Sequence, residues 1–164
     1  MTAALLVLVT LTGQRILGLP GLPAWATDLW LPLVWLVWPP LRNDRAWPFW
    51  ALVLLGLGWD VVTEPVIGPG GIAWSGAGLA LGWLARRVAD RSPVAWAGAG
   101  AVAAAGVLLL RRLTLLPLGL AGPWMWIPVL RVLLLGSAWC GLVGVVQRLD
   151  VAGAIGRMRR RRLR

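Results

Sequence analysis

Six long apolar runs dominate this chain, each separated from the next by charged residues or by Pro/Gly turns. They cover roughly residues 2–18, 28–41, 47–62, 72–88, 93–110 and 124–146. Such runs leave few folds open, because each needs an apolar surrounding along most of its length. Charged residues make up only 13% of the 164 residues and hydrophobic ones 59%, whereas a soluble domain is about 25% charged. A soluble chain of this size has far more surface than so little charge can cover, and disorder requires low hydrophobicity. At about 20 residues per span, the sequence predicts an all-α integral membrane protein with six transmembrane helices, followed by an Arg-rich tail over residues 148–164.

Local signals place the ends of these runs. The first is broken by Gln14 and Arg15. Ala24-Trp25-Ala26 has the small-x-small form of a signal-peptide cleavage site. It lies well beyond the apolar run, however, and no positive segment opens the chain, so the run is read as a retained helix. Asp28 is a candidate N-cap for the second run, with Pro32 near its first turn and Pro39-Pro40 at its end. Pro48 opens the third and Pro93 the fifth, which is rich in Ala and Gly and closes at Arg111 and Arg112. The segment 63–71, with Glu64, Pro65, Gly68, Pro69, Gly70 and Gly71, has turn chemistry. Pro117, Gly119, Gly122 and Pro123 mark the last connection.

Charge sets the expected orientation. If the runs alternate across a bilayer, Arg42, Arg45, Arg86, Arg87, Arg91, Arg148 and the tail residues Arg157, Arg159, Arg160, Arg161, Arg162 and Arg164 share one side. Arg15, Arg111 and Arg112 lie on the other. Cytoplasmic loops carry the excess of basic residues, so both termini are expected in the cytoplasm. Trp25, Trp30, Trp47, Trp50, Trp59, Trp74, Trp124 and Trp126 stand near run ends, as interfacial anchors do.

The chain has no His and no Tyr, a single Cys, and only Arg among its sixteen basic residues. That inventory excludes His–Cys metal sites, Schiff-base chemistry and Ser–His relays, and no cofactor or metal is expected. Cys140 reads as a packing residue. The net charge of +10 points to anionic lipid and not to nucleic acid, since the tail has no aromatic platform for bases. Asp60 near the end of the third run and Arg131 inside the sixth are charges at membrane depth, where a partner is expected. An Asp60–Arg131 or Glu64–Arg131 pair would neutralise both. Gly78-xxx-Gly82 and the small residues of the fifth run permit close helix contact.

Gly56-Leu57-Gly58-Trp59-Asp60 resembles the G-L-x-x-D ending of the third helix in the rod shape-determining protein MreD family, and Pro69-Gly70-Gly71-Ile72 its following P-x-G turn. Gly82-Trp83-Leu84-Ala85 with Arg86 and Arg87 is similar to that family's exit from the fourth helix. The six-run layout, Gln14 and Asp28 also fit. The loop from Asp60 to Pro69 is a few residues longer than usual in the family.

The resemblance implies a non-enzymatic, multi-pass protein of the bacterial inner membrane, acting in the elongation machinery that controls cell shape and peptidoglycan synthesis. It implies contact in the membrane with MreC, with RodA and its transpeptidase partner nearby and MreB reached indirectly. Asp60, Glu64, Arg131, Gly56, Gly78, Gly82, Pro69 and Gly71 are the candidate structural or partner-contact residues. The fold of that family is also similar to that of the substrate-binding subunits of energy-coupling-factor vitamin transporters. In that alternative a pocket near the outer face would be lined by the 63–71 loop with Trp59 and Trp74.

Overall fold

The computed structural model describes residues 2–42, 49–63, 66–86, 92–123 and 125–148. Among them there are six α-helices and no strand: α1 (Thr2–Leu17), α2 (Val34–Arg42), α3 (Phe49–Thr63), α4 (Pro69–Ala85), α5 (Pro93–Leu115) and α6 (Trp126–Arg148). The fold is therefore all-helical, as the runs predict. Consecutive helices α3 to α6 pack as neighbours, α1 lies against α3, and α2 crosses the inside of the bundle against α4, α5 and α6.

Helices α5 and α6 have 23 residues each and are long and apolar enough to cross a membrane. At 1.5 Å per residue they measure about 35 Å, against a hydrocarbon core of about 30 Å. The other four are shorter. The second run departs most from expectation. Its first half forms two 3-10 turns, Ala24–Asp28 and Leu31–Leu33, and the α-helix begins only at Val34. Asp28 therefore closes a 3-10 turn and does not cap α2.

At the break between the turns Leu31 N keeps one backbone acceptor, Leu29 O at 3.1 Å, and side chains from both flanks add to it. Gln14 Oε1 accepts from Leu31 N at 3.0 Å, and Trp139 Nε1 donates to Leu31 O at 3.1 Å. In an apolar surrounding a freed backbone group needs such a partner, so a polar residue of α1 and an indole of α6 make this irregular entry possible.

The expected start of the fifth helix holds. Ser92 Oγ accepts from Ala95 N at 3.1 Å and Pro93 takes the first helical position. Its end runs on past Arg111 and Arg112 to Leu115, since cations suit the last turns of a helix. Gly119, at φ 68°, closes the turn that follows. The α5–α6 contact is built on small residues. A Cβ on Gly100 would lie 2.7 Å from Cys140 Cβ and 2.8 Å from Gly136 O. Cys140 is fully buried there.

The core holds Leu33, Leu36, Val37, Trp74, Ala104 and Val107 with almost no exposure. Gln14, Asp60 and Ser75 are buried with it. Outside, Leu54, Ile72, Leu79, Val94, Leu109, Leu134 and Leu142 are exposed. These three polar side chains thus sit inside the bundle, while apolar side chains face outward on α3, α4, α5 and α6.

Candidate functional site

The α3–α4 turn is assembled around one carboxylate. Asp60, in the last turn of α3 and fully buried, accepts through Oδ2 from Gly68 N at 2.8 Å and Gly70 N at 2.9 Å. Those amides open α4, so Asp60 caps the N-terminus of the helix that follows its own. Gly68 stands at φ 130°, a conformation side chains rarely allow, and Pro69 takes the first helical position. One turn back on α3, a Cβ on Gly56 would run into the Gly70 carbonyl and lie 2.8 Å from Gly71 Cα. On Gly70 it would meet the Asp60 carboxyl and sit 2.7 Å from Gly56 O. Gly56, Asp60, Gly68, Pro69, Gly70 and Gly71 therefore form a single close-packed unit. Asp60 Oδ1 is buried without a partner.

Three tryptophans meet beside this unit. Ring centroids are 5.3 Å apart for Trp30–Trp59 and for Trp59–Trp74, and 6.4 Å for Trp30–Trp74. All three are buried. Their expected place as interfacial anchors is corrected: the indoles of three different segments pack on one another in the core. Trp25, Trp50 and Trp126 are exposed, while Trp47 and Trp124 lie outside the described residues.

Trp30 and Trp59 also form part of the wall of a cavity of about 270 Å³, with Gln14, Arg15, Gly18, Thr27, Val62, Thr63 and Arg111. Arg15 Nη1 donates to Val62 O at 3.1 Å, and Gln14 Nε2 to Thr27 O at 3.3 Å. Trp59 and Thr63 thus line a cavity at this end of the bundle, whereas Trp74 lies behind them in the core. A second hollow of about 260 Å³ lies between Arg111, Arg112 and the segment 120–123. Arg112 Nη1 donates there to Gly122 O at 2.9 Å.

Arg131 does not meet Asp60. It is exposed on α6, and the acid that feels its charge is Asp28. Partial burial raises the Asp28 carboxyl above its ordinary value, and Arg131 pulls it back down. The expected Asp60–Arg131 pair is replaced by the Asp60 cap because two backbone amides are closer to hand in the adjoining turn. Gly78 is buried, and a Cβ there would lie 2.8 Å from Leu52 Cδ1 and 3.1 Å from Leu36 Cδ2. Gly82, four residues on, has open space around it, so the pair does not act as one face. Glu64 and the arginines from Arg157 to Arg164 lie outside the described residues.

Sequence reasoning did not bring Arg15, Arg111 and Trp30 to one cavity. The Gln14-Arg15 doublet interrupting an otherwise apolar helix was the available signal. No known family, curated protein or solved structure matches the chain.

Proposed function

We propose that this chain is a non-enzymatic scaffold of the bacterial inner membrane, part of the elongation machinery, that binds MreC and helps to control peptidoglycan synthesis and cell shape. The observation that carries the reading is the single packed unit formed by Gly56, Asp60, Pro69, Gly70 and Gly71. These residues bear the resemblance to the MreD family, and they come together from two separate stretches of sequence. In this reading the six helices are six spans with both termini in the cytoplasm. The outward apolar side chains face lipid, and the MreC span packs against one of those faces by van der Waals contact and a few polar bonds. The tail arginines hold anionic lipid of the inner leaflet, and RodA with its transpeptidase partner is contacted through the same complex, with MreB reached indirectly.

Co-expression with the MreC-like protein of the same organism tests this. The expected result is a complex that survives purification in mild detergent and elutes as one species on size exclusion. A folded, monodisperse chain that elutes without that partner overturns the reading.

A further inference from the structure

The scaffold reading leaves Asp28 and Arg131 without a role. Arg131 stands inside the apolar stretch of α6, a helix long and apolar enough to cross a membrane, and its side chain is exposed. Ile127 and Leu134, one turn to either side on the same face, are exposed as well. The guanidinium thus leaves the helix among outward apolar side chains, where a charge is costly without a partner. Among the described residues, Arg131 makes neither a hydrogen bond nor an ion pair, and the Asp28 carboxyl makes none either. Asp28 is nevertheless its neighbour. The turn Ala24–Asp28 packs on α6, and the Arg131 charge acts on the half-buried carboxyl through space.

Two exposed indoles fix the level at which these charges stand. Trp126 opens α6 five residues before Arg131, and Trp25 precedes Asp28 by one 3-10 turn. Exposed tryptophans gather at the membrane–water boundary. Five residues are about 8 Å of helix, and a helical side chain leans toward the start of its helix, so the Arg131 head reaches back to the headgroup layer. A cation and an anion side by side, facing that layer and not spent on each other, are complementary to a headgroup that carries both signs. The guanidinium fork matches a phosphate in two-point contact, and a primary ammonium offers a carboxylate three donors. Ile127 and Leu134 supply apolar surface for the acyl chains.

We infer that Asp28 and Arg131 together hold the headgroup of a phosphatidylethanolamine-type lipid, the guanidinium on its phosphate and the carboxylate on its ammonium. The inference rests on the part of the proposed function that sets α6 across a bilayer, and not on the contact with MreC.

The full chain is delipidated in neutral detergent, and lipid retained per chain is counted by native mass spectrometry. The probes are phosphatidylethanolamine, phosphatidylcholine, whose ammonium has no N–H, and phosphatidylglycerol, which has no ammonium. The wild type should retain phosphatidylethanolamine several-fold better than phosphatidylcholine. Arg131→Gln should abolish that excess while leaving the phosphatidylglycerol count, which the tail arginines sustain, unchanged. Asp28→Asn should bring phosphatidylethanolamine down to the phosphatidylcholine level. A thermal-shift series supplies the second readout: phosphatidylethanolamine raises the Tm of the wild type with concentration and not that of either variant. Equal retention of the two zwitterionic lipids by the wild type, an excess that survives either substitution, or a phosphatidylglycerol loss in Arg131→Gln as large as that of phosphatidylethanolamine overturns the inference. A chain that stays in solution once detergent is removed overturns the membrane-spanning reading beneath it.

Discussion

Asp60 shows how one side chain can tie two helices together. Its Oδ2 takes the amides of Gly68 and Gly70, so removing it leaves buried donors unmatched, a loss of about 1–3 kcal/mol. Asp60→Ala should lower the Tm clearly. Arg131→Gln should leave it within the small range of surface changes, about 0.5 kcal/mol, because Arg131 is exposed and makes no bond to Asp60. A thermal melt of both variants decides between the cap and an ion pair: equal losses would restore the pair. The glycines offer a matching contrast. Gly56→Ala drives a methyl into the α4 backbone and should cost about 1–3 kcal/mol. Gly82→Ala meets nothing within 4 Å and should be neutral or stabilise by up to about 1 kcal/mol, through helix propensity. Asp60 was legible as a buried charge, but its partner was not. Charge complementarity pointed to Arg131, while the stronger clue was local: a Gly-Pro-Gly turn eight residues on, with free amides at a helix start.

At the scale of elements, helix starts were more legible than what happens between helices. Ser92-Pro93 announces α5 because its cap bond spans three residues. The entry to α2 is fixed by α1 and α6 through Leu31, and no window of sequence around Asp28 contains Gln14 or Trp139. Gln14→Leu, which keeps the bulk and loses the amide, should therefore destabilise the fold by about 1–3 kcal/mol, read as a Tm loss in detergent. The same turn contributes a pH dependence. Burial raises the Asp28 carboxyl in the folded chain above its unfolded value of about 3.9, so the folded state holds that proton more tightly. The stability this adds is complete below about pH 4 and is lost as pH rises through the raised folded value. Asp28→Asn should flatten the fall in Tm across that window; an unchanged slope would show that another group is responsible.

Across the whole molecule, the low charge content and the apolar runs gave the all-helical class, because hydrophobicity over fifteen or more residues is a property of sequence alone. The tryptophans mark the boundary of that legibility. Trp30, Trp59 and Trp74 occupy run ends as Trp50 and Trp126 do, yet they turn inward to one another. Which side of a helix faces its neighbours depends on how all the helices are arranged. The cavity, drawn from α1, α3, α5 and the 3-10 segment between α1 and α2, is a product of that arrangement as well. The scaffold proposal rests on the chain crossing the membrane repeatedly, with the end of α5 outward and the end of α4 inward. Cysteine labelling with a membrane-impermeant maleimide tests this most directly, since the native Cys140 is fully buried and gives little background. Leu118→Cys, in the turn after α5, should label in intact cells, and Arg86→Cys, just past α4, only once the cells are opened. Labelling of both in intact cells, of Arg86→Cys alone, or of neither before lysis would contradict the account.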